Sequence, residues 1–126
     1  MQTVKERYIK TTENMGSKFI AILFPLDDDS LFKGILNDIK KEFNKARHYV
    51  YAYRVGQKSK SNDDSEPKGT AGRPLLELLH KKDMNNCAIV VVRYFGGTKL
   101  GAGRLLRTYV QSGVNVINVA NLVAIE

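Results

Sequence analysis

One stretch limits what this chain can become: residues 87–107. It opens as Cys87-Ala88-Ile89-Val90-Val91-Val92-Arg93-Tyr94-Phe95, an apolar and largely β-branched run. Such a run suits a strand covered on both faces, in the middle of a sheet. Four glycines then fall within eight residues: Gly96, Gly97, Gly101 and Gly103. Glycine serves positive φ and close approach of the backbone to a partner. A helical pattern follows, from about residue 101 to about residue 118. Strand, glycine-rich turn and helix N-terminus together aim free backbone N–H groups and a positive dipole end at one point. Arg93, Lys99, Arg104 and Arg107 add full charge, and no acidic residue occurs from Met84 to Ile125. An anionic partner at this junction is the expectation. The alternative is a turn that serves only strand-to-helix packing. Two nucleotide fingerprints are absent: Lys99 is followed by Leu100 and not by a hydroxyl residue, and Leu106 stands where a third Rossmann glycine would be.

A length of 126 residues is that of one domain with a core of its own. The net charge of +7 favours polyanionic partners such as RNA, DNA, an acidic protein face or anionic lipid. The single cysteine, Cys87, permits no disulfide within the chain and reads as a buried thiol. That fits a reducing, cytoplasmic setting. The opening residues are polar and charged, unlike a signal peptide, and the apolar runs are too short to span a bilayer, so no membrane partner is expected.

Upstream, Val4, Tyr8 and Ile9 permit a short edge strand, and residues 17–26 form a buried one closed by Pro25. A hairpin through Glu13-Asn14-Met15-Gly16 would pair them. Asp27-Asp28-Asp29-Ser30 reads as a helix cap, followed by the apolar stripe Phe32, Ile35, Leu36, Ile39 and Phe43. Residues 46–55 alternate, with His48, Val50, Ala52 and Arg54 on one face and Tyr49, Tyr51, Tyr53 and Val55 on the other. The tyrosines read as core, and His48 as a hydrogen-bonded structural residue. Residues 56–68 are one long polar stretch, in which residues 57–62 have a mobile loop's composition. The next helix carries Pro74 in its first turn and Lys81 and Lys82 in its last. On the closing helix, Leu105, Leu106, Tyr109, Val110, Gly113, Val116 and Ile117 are expected inside, and Arg104, Arg107, Thr108, Gln111 and Asn115 outside. Residues 122–125 could add a short strand.

Two motifs then act together. Asp63-Asp64-Ser65-Glu66-Pro67-Lys68-Gly69-Thr70-Ala71-Gly72-Arg73-Pro74 resembles one signature of the Impact/YigZ family. Residues 91–103, continued by Arg107-x-Tyr109, resemble the second, and the segments 17–21 and Ala46-x-His48 also fit. The resemblance covers roughly residues 17–118. It implies an α+β fold: a two-layer α/β sandwich with a mixed sheet, helices on one face and a left-handed crossover, like the second domain of ribosomal protein S5. Larger bacterial members carry a further C-terminal domain and eukaryotic ones an N-terminal one, so residues 1–126 are expected to be the core domain alone. The chain departs from the family pattern at Ser65 and Arg104, where glycine is usual, at Lys68, where a small residue is usual, and at Thr108, where alanine is usual.

The resemblance implies a link to translation or its regulation, and charge and motif together favour a nucleic-acid-binding module without firm catalytic activity. Its expected partner is structured RNA or the ribosome, with RNA preferred over DNA. Lys68, Arg73, Arg93, Lys99, Arg104 and Arg107 would meet phosphates, while Gly96, Gly97 and Gly101 let the backbone come close. Tyr94 and Phe95 are candidates to stack on a base, although strand alternation turns at least one inward. A second reading is a small-ligand or phosphate enzyme, with Asp63, Asp64 and Glu66 beside Thr70, Arg73 and Lys99. Those carboxylates read better as partners of Arg73, Arg93 or Arg104, or as the cap of the following helix. The loop Asp63, Asp64, Glu66, Gly69, Thr70 and Gly72 is thus assigned no metal and no cofactor. A third reading is a protein-interaction module in translational control.

Overall fold

The computed structural model describes residues 1–125. Its strands are β1 (Gln2–Thr3), β2 (Tyr8–Asn14), β3 (Ser17–Pro25), β4 (His48–Val55), β5 (Lys58–Asn62), β6 (Cys87–Tyr94) and β7 (Val123–Ala124). Its helices are α1 (Phe32–Glu42), α2 (Gly72–Lys81) and α3 (Ala102–Val119). The β-branched run of β6 takes the centre of a five-stranded sheet, in the order β2-β3-β6-β4-β5. Seven of its eight residues are buried, as expected of a strand covered on both faces. The Cys87 thiol lies among them, and burial pushes its pKa up to about 12. Among the described residues, no helix is long and apolar enough to cross a membrane.

The α+β class holds, and two details differ from expectation. Every strand pairing in the main sheet is antiparallel. β3 and β4 run parallel to each other, but β6 inserts between them and pairs antiparallel with both. A βαβ unit is therefore present without a parallel ladder; the parallel pairing among the described residues is the isolated bridge Gln2–Met84. Helices also cover both faces rather than one. The residues Phe19, Ala21, Leu23, Val50, Ala52, Ile89 and Val91 pack against α2 and α3. The alternate residues Ile22, Phe24, Tyr51, Tyr53, Val90 and Val92 pack against α1. The reason is in the strands: with successive side chains apolar, both faces of β3 and β6 must leave water. Phe32 of α1 lies between Tyr51 and Tyr53, with ring centroids 4.7 and 4.9 Å away, which settles the tyrosines as core.

Local chemistry explains the boundaries. Met15 and Gly16 both take positive φ, 48° and 84°, so the β2–β3 hairpin closes on a two-residue turn whose twist matches the strands. Asp28 accepts from the Ser30 N–H at 3.0 Å and caps the short 3-10 turn that leads into α1. Residues 58–62 are not loop but the edge strand β5, in register with β4 from Tyr51–Asn62 to Val55–Lys58. Lysine and serine suit an exposed edge that must not recruit further strands, so this strand reads like a loop. β1 pairs with β7 and brings the two ends of the chain together.

Candidate functional site

Both motifs converge on one end of the sheet. Antiparallel pairing sets His48 of β4 and Phe19 of β3 on either side of Arg93 of β6. All three face α2 and α3. Glu66 comes over this row from the segment before α2. Its carboxylate accepts from both sides: Arg93 Nη1 lies 2.7 and 3.0 Å from its two oxygens, and the Tyr109 hydroxyl of α3 donates to Oε2. His48 Nε2 sits 3.3 Å from Oε1, and its Nδ1 is 2.7 Å from the Asp64 carbonyl oxygen. Arg93 Nη2 reaches Ser17 Oγ at 3.4 Å, and that hydroxyl also accepts from the Gly96 N–H at 3.1 Å. Glu66 and Arg93 are only 8% and 5% exposed, so this is a buried ion pair with hydrogen bonds on almost every polar atom. Arg93 Nε alone has no partner among the described residues, and the guanidinium instead lies 5.3 Å from the Phe19 ring centroid. Burial first, and the Glu66 charge second, push the Tyr109 phenol well above its usual pKa.

The acidic loop is held as tightly. Asp63 Oδ1 accepts from the N–H groups of Ala71 (3.1 Å) and Gly72 (2.8 Å), and Oδ2 from that of Gly69 (2.9 Å). This carboxylate thus satisfies the orphan donors of α2, in the role of a cap placed eight residues upstream. Asp64 Oδ2 accepts from the Tyr49 N–H at 2.6 Å. Thr70 is buried and bonds the Pro67 carbonyl. Gly72 lets α2 approach β5, since a Cβ there would lie 2.4 Å from the Asn62 carbonyl oxygen. All three motif carboxylates are therefore engaged by the protein, and no cluster of three potential metal ligands occurs among the described residues. The turn also explains the cost of Ser65, whose φ is +68°. Ser65→Gly should stabilise the fold by about 0.5 kcal/mol or more, because relief from the left-handed region exceeds glycine's extra chain entropy. A thermal melt that shows a loss would contradict this account of the turn.

The glycine-rich turn differs from the acidic loop in its exposure. Lys99, Arg104 and Arg107 are exposed and make no ion pair among the described residues. Gly97 and Gly101 take φ of +90° and +77°, with open space where a Cβ would be. No side chain caps α3, whose N-cap is Gly101. Arg104 and Arg107 line a cleft of about 350 Å³ against Thr12, Glu13 and Asn14 of β2. Glu13 is the acid on that rim, and it faces Lys18 at 4.0 Å.

The anticipated binding set therefore divides. Arg93 cannot serve a phosphate, because it is buried and neutralised by Glu66. Arg73 points to the other side of α3, with Glu77 at 3.6 Å, and Lys68 is exposed in the loop before α2. Gly96 serves packing: a Cβ there would lie 2.0 Å from the Gly16 carbonyl carbon. Tyr94 turns to the α1 face and donates to the Asn44 carbonyl at 3.0 Å. Phe95 is exposed, and the Arg47 guanidinium already lies 4.9 Å from its ring centroid. On α3, Leu106 is exposed and Thr108 buried, the reverse of expectation. Thr108 Oγ1 accepts from Asn14 Nδ2 at 2.8 Å and donates to the Arg104 carbonyl, so a threonine fits the sheet-facing side. Sequence reasoning did not join His48 and Tyr109 to the motif carboxylate, or Ser17 to Arg93. Their signal was the shared face of residues 17, 19, 48 and 93.

Comparison with known proteins gives a consistent result. Residues 15–117 match the Impact N-terminal domain. The chain is 43% identical over 123 residues to IMPACT family member YvyE of Bacillus subtilis, which covers 93% of this chain and 57% of that protein. It is 38% identical over 104 residues to IMPACT family member YigZ of Escherichia coli, covering 79% of this chain and 50% of that one. The corresponding figures for Protein IMPACT of Xenopus laevis are 34% over 101 residues, 75% and 32%. The chain thus spans about half the length, or less, of these relatives. A crystal structure of a hypothetical protein superposes with a TM-score of 0.92 at 29% identity, over 97% of this chain and 62% of that chain. A structure described as the two-domain translational regulator Yih1 shares the fold at a TM-score of 0.51 and 22% identity, over 94% of this chain and 47% of that one.

Proposed function

The chain belongs to the Impact N-terminal domain family, and we propose that it is a phosphate-recognising module for structured RNA, acting in translation or its regulation. The observation that carries this reading is the trio Lys99, Arg104 and Arg107. They are exposed and make no ion pair among the described residues, with Arg104 Nη1 donating to Met15 Sδ, around a glycine-rich turn and an uncapped helix start. Arg93, by contrast, is neutralised inside the fold by Glu66. A phosphate entering the turn would meet backbone N–H groups, the helix dipole and mobile cations together. The translational setting is taken from the Yih1 description. The network of Glu66, Arg93, His48 and Tyr109 then acts as the rigid mount that fixes where β6 ends and the turn begins.

The enzyme reading gains no comparable support, because the carboxylates it needs are hydrogen-bonded into the fold. Fluorescence anisotropy against structured RNA, single-stranded RNA and duplex DNA at several salt concentrations tests the proposal. The Lys99→Ala/Arg104→Ala protein should bind structured RNA more weakly, with a log–log salt slope reduced by about two. Equal binding by the variant, or a slope that salt leaves flat, would overturn it.

A further inference from the structure

A larger cleft than the one at Arg104 and Arg107 lies elsewhere. It is a groove of about 550 Å³ between α2 and α3, lined on α3 by Leu106, Val110 and Val114 rather than by Arg104 and Arg107. Leu106, Val110 and Val114 run along α3 at four-residue spacing, opposite Pro74 and Leu78 of α2. This stripe is the second apolar face that made Leu106 look like a core residue, yet Leu106 is 38% exposed. Leu105, Tyr109, Ser112, Gly113 and Val116 fill the buried side of α3, while Leu106 is exposed and Val110 and Val114 stay half-buried along the groove, Val114 with its inner edge on the core. The helices approach closely under it because residue 113 is glycine: a Cβ there would lie 2.7 Å from Leu78 Cδ2.

We propose that this groove docks a short acidic amphipathic helix of a partner protein. Charge decides the occupant. The rim carries Arg73, Lys81 and Lys82 against one acid, Glu77, which Arg73 already faces at 3.6 Å. Lys81 and Lys82 have no ion-pair partner among the described residues. An apolar floor between basic walls matches a helix with a leucine stripe flanked by glutamates. It does not match a phosphate backbone, which brings nothing apolar for Leu106 and Val110 to cover. From residue 106 to 114 the stripe spans about 12 Å at 1.5 Å per residue, or roughly two turns of a docked helix with anchors at i, i+4 and i+7. This surface is separate from the nucleic-acid site and stands whether or not that reading does.

The probe is a synthetic helical peptide with leucines at i, i+4 and i+7 and glutamates elsewhere. Its controls are a scrambled peptide of the same composition and one with lysine for every glutamate. The acidic helix should bind at least about tenfold more tightly than either control, a gap of about 1.4 kcal/mol. Amide shifts should concentrate at residues 69–82 and 106–114 and spare 96–104. Leu106→Ser, at an exposed position, and Lys81→Glu/Lys82→Glu should each weaken binding at least tenfold (about 1.4 kcal/mol) while the folded amide spectrum persists. Equal binding of the scrambled peptide, or shifts centred on the glycine-rich turn, would overturn the proposal. So would concentration-dependent dimerisation that Leu106→Ser abolishes, because the groove would then belong to a second copy.

Discussion

Glu66→Ala should cost about 3–5 kcal/mol of folding stability, the loss typical of breaking a buried ion pair by removing one partner. Most of that loss is not the attraction itself. It is the Arg93 guanidinium left 5% exposed with no counter-charge, beside a Tyr109 hydroxyl that loses its acceptor. Glu66→Gln keeps the shape and one acceptor oxygen, so it should fall between the two proteins. Urea unfolding checks this through a lower midpoint at an unchanged m-value. A double-mutant cycle with Arg93→Ala locates the cause. Once the cation is gone the carboxylate has less to do, so the double variant should lose well under the sum of the singles, with coupling of about 1 kcal/mol or more. If Glu66→Ala loses less than about 1 kcal/mol, the network is no mount. The carboxylate would then be free for chemistry, and the enzyme reading would regain its footing. Alkaline pH adds a directional check. With its pKa raised in the fold, Tyr109 contributes stability that is fully present below the ordinary tyrosine pKa of about 10 and is lost as pH rises beyond it.

That network shows what the sequence disclosed and what it hid. β6, the Met15-Gly16 hairpin, the Asp28 cap and the tyrosine face of β4 were readable because each rests on local chemistry: β-branching, turn residues, a short acidic cap, period-two alternation. Arg93 was read both as a phosphate contact and as a partner of the motif carboxylates, and the second role is the one it fills, with Glu66 at 2.7 Å. Its parity with Ile89 and Val91 already put it on the covered face, where an arginine needs a carboxylate. Asp63 was readable as a cap only in part, since it reaches its helix across a loop whose path Asp64 and Ser65 set at positive φ, 43° and 68°. β5 was invisible because an edge strand facing water has a loop's composition. Leu106 and Thr108 exchanged places because α3 has two apolar stripes, and periodicity cannot say which one meets the sheet. That is decided by Asn14 and Thr12, whose side chains bond Thr108 and Asn115 at 2.8 Å each.

Gly96→Ala should be the most damaging methyl that can be added to the second motif. Its conformation is not the obstacle, since Gly96 is not among the glycines with positive φ. Contact is. The new Cβ would lie 2.0 Å from the carbonyl carbon of Gly16, 2.3 Å from its oxygen and 2.4 Å from the Ser17 nitrogen, all of them backbone atoms. A flexible side chain could swing aside; a two-residue turn already committed to positive φ at Met15 and Gly16 cannot. Moving it would also break the Ser17 hydroxyl bonds to Gly96 and Arg93. The expected loss is about 3 kcal/mol, the upper end for overpacking. RNA affinity should fall with it, because Lys99 and Arg104 follow the displaced turn. Gly34→Ala is the matched control. Gly34 is exposed on α1 with nothing within 4 Å of an added Cβ, so the same change should stabilise by about 1 kcal/mol through helix propensity. Thermal melts of the two variants should move in opposite directions from the parent. A Gly96→Ala protein that melts with the parent would mean that the β2–β3 turn and the glycine-rich turn are not packed against each other, and the mount for the phosphate site would lose its front edge.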